Sequence, residues 1–356
     1  MSNGQPTSTE NAPPVTIDIA GVELRGWSGL QIQRSIDAAA DQFSFSVPWD
    51  PNPENRERFR PYNQTSNGIA RVFVGDQLLL RGYIESVKVT SAGEQRAMTL
   101  SGRSETGVLV DWSVGPKYQW ADVTFNTIAS EAATPYSVIA NPDTRPLTAE
   151  AEIGQTVFEF LSSIAAANGL WAVPDTAQNA RGGGSVIRFV QLSASRRPIA
   201  SLIGGTSPLV EISTNHDVTK RFREYTVVQE TAGATGTVTV EDRAMALSIR
   251  GRKVIEVQQE SNDLTFAASF ARSRALIESY NCNATVTGWT YGGTLWAPGE
   301  IVLVSTPDAM IYGTKPLMIS QVTFQMDQTG GQQCQLSLSL PEAYSGGYPA
   351  VVPWMD

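Results

Sequence analysis

The side chains that do nucleophilic or metal chemistry are scarce in this sequence, and their spacing suits neither. There is one histidine, His216, followed directly by Asp217. A Ser-His-Asp relay needs its carboxylate aimed at the imidazole, and neighbours on an extended strand point to opposite faces. No Gly-x-Ser-x-Gly elbow occurs, and one histidine cannot build a His-Glu-x-x-His or multi-histidine metal centre. His216 reads as a turn residue ahead of a strand starting near Phe222. Cys282 and Cys334 are too few for a disulfide scaffold or a four-cysteine zinc site, and neither has a Cys-x-x-Cys partner. Both read as small buried hydrophobes. Gly182-Gly183-Gly184 runs into Ser185-Val186-Ile187 without the lysine of a phosphate loop, so a hairpin tip is expected there. Paired carboxylates would serve glycoside hydrolysis, but no local signature selects a pair from 35 acidic residues. Two basic clusters stand out: Lys220, Arg221 and Arg223, and Arg250, Arg252 and Lys253. Aromatics for base stacking are not interleaved beside Arg250, and charge on a strand edge also blocks edge-to-edge pairing. The reading assigns no catalytic, cofactor-binding or metal-binding residue.

The elements around these residues are mostly strands. The 356 residues are 41% hydrophobic and 17% charged, enough for real cores, and the length corresponds to about two or three domains. Thirty glycines and twenty prolines punctuate the chain densely, as many short strands require. The net charge of −9 argues against a broad phosphate-gripping surface. Residues 1–14 read as a disordered arm with neither the basic start nor the apolar stretch of a signal peptide. No apolar run approaches the ~20 residues of a membrane helix, so no membrane insertion is expected.

From residue 15 to 107 the hydrophobic period is two: Val15, Ile17 and Ile19; Leu30 and Ile32; Phe43, Phe45 and Val47; then Val72 and Val74 before the hairpin signal Gly75-Asp76. Residues 48–68 carry four prolines and read as a long surface loop. Residues 108–208 read as a small α+β unit. One helix is expected over 123–133, capped by Asp122, and a second over 155–168, stopped by Gly169. Strands at 170–173 and 186–190 then form a hairpin. From 209 to 340 the period of two returns, with a strand pair across 235–258 and a helix over 263–280. Residues 341–356, rich in Pro and Gly, read as an extended arm. One internal comparison stands out. Ile84, Val87 and Val89, a turn, then Met98 and Leu100 share their register with Ile319, Val322 and Phe324, a turn, then Leu336 and Leu338. The two hairpins follow Val72/Val74 and Val302/Val304. Any two hairpins can share such a pattern; the sharper reading is a duplicated barrel with the α+β unit inserted between the copies. The fold class expected is mainly β, with two related β-barrel domains and an intervening small α+β domain.

Several stretches carry a family likeness. They are Gly288-Trp289 with Gly293-Thr294-Leu295-Trp296-Ala297-Pro298-Gly299 and the strand from Ile301 to Val304; Arg221-Phe222-Arg223-Glu224-Tyr225-Thr226-Val227; Arg81-Gly82-Tyr83-Ile84; Ser101-Gly102-Arg103-Ser104 through Leu109-Val110-Asp111; and Pro341-Glu342-Ala343-Tyr344. Through these the chain resembles the baseplate hub proteins of contractile-tailed phages, particularly the type found in phage Mu, over most of residues 15–344.

The resemblance implies a homotrimer in which three chains with two barrels each make a six-unit ring. It implies partners in a sixfold tail tube protein, a threefold central spike protein and other baseplate proteins. It also implies a lumen that DNA transits without specific binding, a place in the virion baseplate, and assembly in the host cytoplasm. Most of Trp27, Trp49, Trp112, Trp120, Trp289, Trp296 and Trp354 are expected in cores. Tyr344, Tyr348 and Trp354, in the C-terminal arm, are the candidate partner interface. The alternative class is a virion-associated carbohydrate-acting or carbohydrate-binding β protein.

Overall fold

A computed structural model of the chain describes residues 13–354 apart from residues 20, 60–67, 93–94, 177–183, 232–233, 246–249, 257–263, 328–330 and 350–351. Most of residues 1–14 and the Gly182-Gly183 turn therefore lie outside the described residues. Among the described residues, thirteen strands join into one sheet. Its first half is ordered Gly29–Ser35, Gln42–Pro48, Gln95–Ser104, Gln77–Ala92, Ile69–Val74. Its second half is ordered Leu209–His216, Tyr280–Thr287, Gly331–Ser339, Ile311–Asp327, Ile301–Thr306.

The two halves are the same five-strand unit built twice. In the first, Ile84 faces Gly102 and Ser86 faces Ser101, leaving Glu85 as a bulge. In the second, Ile319 faces Leu338 and Gln321 faces Ser337, leaving Ser320 in the same place. On the next strand pair the regular register ends after Val72 in one unit and after Val304 in the other. Val72 thus corresponds to Val304, two residues on from the equivalence read in the sequence. The flanking strand differs: Val15–Ile19 runs antiparallel to Ile69–Val74, whereas Ala200–Ile203 runs parallel to Ile301–Thr306.

The units are welded by hydrogen bonds. Residues 321–327 of the long strand Ile311–Asp327 pair antiparallel with residues 29–35 of the first unit. The sheet therefore runs unbroken from one unit into the other, and no closed barrel is detected among the described strands. A single apolar cluster spans both halves, with Phe45 and Leu100 of the first and Phe324, Leu336, Trp289 and Trp296 of the second all buried.

Between the units lies the α+β region. Its first helix is Phe125–Ala132, and its N-cap is Thr124. Asp122, the expected cap, sits in the strand Gln119–Val123 with φ 55. The first-turn N–H groups are satisfied from a distant loop instead: Phe125 donates to Thr144 Oγ1 and Asn126 to Asp143 Oδ1. The second helix, Val157–Ala167, carries a full capping box between Thr156 and Glu159. It ends at Asn168, with Gly169 at φ 72. Trp171–Thr176 and Ser185–Val190 form the expected hairpin, and Ser137–Asn141 joins it in parallel.

Three further expectations are corrected. Ala234–Glu241 and Arg252–Glu256 do not pair with each other; both flank Glu224–Thr231 in a separate three-stranded sheet. A central strand with β-branched residues on both faces outcompetes the local pairing. The loop at 48–68 contains a short helix, Pro53–Arg58, and its residues 60–67 lie outside the described residues. The C-terminal segment is not an extended arm at its start. Pro341–Tyr344 is a short helix whose Pro341, Ala343 and Tyr344 are buried. The helix expected over 263–280 is present as Leu264–Ser279 and packs against Glu224–Thr231, Ala234–Glu241 and Pro341–Tyr344.

Candidate assembly surface

The chemistry-bearing residues are placed as structure. His216 ends the strand Leu209–His216 and does not sit in a turn ahead of Phe222; that segment begins its strand only at Glu224. The His216 ring lies 5.1 Å from Tyr280 and 4.6 Å from Trp354, and partial burial lowers its pKa. Asp217 turns away, accepting from the Thr219 N–H at 2.8 Å. Cys282 and Cys334 are buried. Burial pushes the Cys282 thiol up to about 12 and the Cys334 thiol up as well. Among the described residues no cluster of His, Cys, Asp and Glu is arranged to hold a metal ion. No helix among them is long and apolar enough to cross a membrane.

Four cations of the two basic clusters are paired with carboxylates within the chain. Arg221 donates twice to Asp242 Oδ2, at 2.9 and 2.7 Å, and both side chains are buried. Tyr348 closes this cluster, accepting from Arg221 and donating to Asp242. Arg223 pairs with Glu241, Arg252 with Glu224, and Lys220 with Glu278. The Lys253 ammonium stands 5.9 Å from the Phe222 ring centroid. Arg223, Glu224, Glu241, Arg252 and Lys253 belong to the small three-stranded sheet and the segment leading into it, which is separate from the thirteen-stranded sheet.

The thirteen-stranded sheet itself has two sharply different faces. Strand alternation sends Leu30, Ile32, Phe43, Phe45, Leu100, Val322, Phe324 and Leu336 into the core. The opposite face carries Gln31, Gln33, Ser44, Ser46, Thr99 and Ser101 in the first unit. It carries Thr323, Gln325, Gln333, Gln335, Ser337 and Asn283 in the second. These side chains bond across strands: Gln33 Nε2 donates to Gln321 Oε1 at 3.1 Å over the junction, and Ser337 Oγ donates to Asn283 Oδ1 at 2.9 Å. Arg103, a cation on this face, is held by Glu85 and Asp111 at 2.7 and 2.6 Å. The result is a broad surface made mostly of amides and hydroxyls, with Lys88, opposite Thr99, and Glu211, opposite Thr285, as charges on its edge strands. Its residues were visible in the sequence as the polar half of the alternation, but nothing local showed that two units would merge them into one face.

The three aromatic residues named from the sequence are dispersed. Tyr344 is 3% exposed, with its ring 5.0 Å from Trp171 and its carbonyl accepting from Trp171 Nε1. Trp354 is half-buried against His216 and Tyr280. Tyr348 is 39% exposed. Sequence reasoning missed the strand edges, which the topology leaves without a ladder partner on one side among the described residues: 86–92 in the first unit and Leu209–His216 in the second.

Residues 14–104 match the family model of the N-terminal domain of the Mu phage baseplate assembly protein GpP-like proteins. Residues 106–179 match the second domain of the baseplate hub protein gp44-like family. The chain is similar to the Mu-type baseplate hub proteins. It is 26% identical to baseplate hub protein gp44 of Escherichia phage Mu over 93% of this chain and 88% of that protein. The fold is shared with the tail protein of Neisseria meningitidis MC58, at TM-score 0.77 and 23% identity, covering 94% of this chain and 99% of the other. It is also shared with the 43 kDa tail protein of prophage MuSo2 from Shewanella oneidensis, at TM-score 0.74 and 23% identity, covering 92% and 98%. The resemblance read from the sequence is borne out, and the hub and phage-tail character it carried stands with it.

Proposed function

We propose that this chain is the structural hub of a contractile-tail baseplate, located in the virion. In this reading three copies form a ring that adapts a sixfold tail tube to a threefold central spike and leaves a lumen for DNA. Its partners are two further copies of itself, the tail tube protein, the central spike protein and other baseplate proteins. Residues 15–107 and 209–340 are the two related units that close as barrel domains in the ring. Residues 108–208 buttress them, and residues 341–356 brace the second unit and offer Tyr348 and Trp354 to a partner.

The observation that carries the proposal is the duplicated five-strand unit with matched bulges, joined head to tail by a hydrogen-bonded junction. Three chains built this way present six similar units, which reconciles threefold with sixfold symmetry. The polar face supports the lumen. DNA slides most freely past a wall without fixed cations, since each Lys or Arg would hold a phosphate by counterion release. Of the Arg250 cluster, Arg252 and Lys253 lie on the other sheet, the first paired with Glu224 and the second over the Phe222 ring.

Light scattering and negative-stain microscopy of the purified chain test the reading. A trimer with a central hole and six lobes is expected, with no digestion of peptidoglycan. A stable monomer at high concentration overturns the ring, and hydrolysis abolished by replacing one carboxylate would put the chain in the carbohydrate-acting class.

A further inference from the structure

The junction inside the chain specifies a second one. At the internal weld, Gln325 faces Gln31 and Phe324 faces Ile32. Each of these residues has a counterpart in the other unit. Gln325 faces Gln333 across its hairpin just as Thr90 faces Ala97, and the matched bulges fix that correspondence. Gln31 stands one strand outside Ser44, which faces Ser101. Ser213 stands one strand outside Asn283, which faces Ser337. The half of the weld that belongs to the second unit therefore has its twin at residues 86–92, and the half that belongs to the first has its twin in Leu209–His216. Among the described residues both twins lack a strand on the side where the weld forms.

Their surfaces agree. Phe324 and Ile32, buried at the weld, correspond to Val89, which is 49% exposed, and to Thr214. The stretch Ser86-Val87-Lys88-Val89-Thr90-Ser91-Ala92 has no proline and a single charge. A long edge of that composition is normally blunted or paired.

We infer that residues 88–92 of one chain pair antiparallel with residues 211–215 of a second copy, repeating the internal register so that Val89 meets Thr214 and Thr90 meets Ser213. The occupant of each edge is the other edge of a neighbouring chain, because the weld already present is the same contact made within one chain. The contact is heterologous, so it propagates in one direction and closes only as a ring. The inference rests on the ring reading above and adds to it the edges and the register.

The full-length chain carrying Thr90→Cys together with Ser213→Cys tests it. Oxidation should give disulfides between chains, and denaturing non-reducing gels should show dimers and trimers. The double variant Thr90→Cys and Asn215→Cys is displaced by two residues, ~7 Å along the strand, which is too far for a disulfide, and should stay uncrosslinked. Each single-cysteine variant should also stay uncrosslinked, because a heterologous contact never sets one edge against itself. Native-size oligomers in light scattering that crosslink only in the displaced pair, or in neither pair, would overturn the register while leaving the ring intact. Crosslinking of a single-cysteine variant would overturn the heterologous contact. Monomers that fail to crosslink would overturn both the ring and this inference.

Discussion

Cys282 and Cys334 sit on paired strands and are buried in the core, and burial holds both thiols protonated well above neutral pH. Thiolate is the reactive species. At pH 8 a thiol reagent is therefore expected to modify no cysteine in the folded chain and both after denaturation, read from absorbance. Modification of the native protein would place a cysteine outside the core. The Arg221–Asp242 pair is a second residue-scale constraint. Its charges are out of water and bridged by the Tyr348 hydroxyl, so removing one partner strands the other. Arg221→Met is expected to cost about 3–5 kcal/mol, measured as a lowered urea midpoint. Tyr348→Phe keeps the ion pair and should cost only ~1 kcal/mol. Sequence reading recognised Arg221 as part of a basic cluster. It could not see that the cation was internal, because its partner lies 21 residues away across a strand pair.

At the scale of elements, the bulge at Glu85 brings the backbone of one strand unusually close to the next. A Cβ at Gly102 would collide with the Tyr83 carbonyl, and one at Gly82 with the Arg103 carbonyl. The second unit makes the same bulge with Leu338 in place of Gly102, so the repeat conserves the register while its side chains differ. Gly102→Ala is expected to destabilise the chain by about 1–3 kcal/mol or more, read from thermal unfolding. Thr99→Ala on the same strand removes only a part-buried hydroxyl contact with Ser46 and should shift it less. Helix positions were legible because the 3.6 period and local caps specify them, as Thr156 and Glu159 do. The cap at Asp122 was misjudged because Asp143 and Thr144, from a loop that folds back, satisfy the helix start. The pairing of 235–258 was misjudged for a related reason. Adjacent strands in sequence usually pair, yet here the earlier strand Glu224–Thr231 inserts between them.

For the whole molecule, the amide- and hydroxyl-rich sheet face leads to an expectation about DNA. The purified chain should show no salt-sensitive binding of a duplex in fluorescence anisotropy at 0.15 M salt. Gln31→Arg with Gln325→Arg, which places two new cations on that face, should create binding whose log–log salt slope steepens by about one per phosphate contact. Strong wild-type binding would contradict a lumen that lets DNA pass.

The sequence alone determined the strand-rich class, the polar and apolar alternation, the helix in each expected region and the hint of duplication. These depend on spacings within a dozen residues, where period and turn chemistry act. The tertiary structure decided what those pieces become. Residues 321–327 choose residues 29–35 as neighbours almost 300 positions away. No local propensity encodes that choice, because it is made by burying Phe324 and Ile32 in one core and by completing a ladder that either unit alone leaves open.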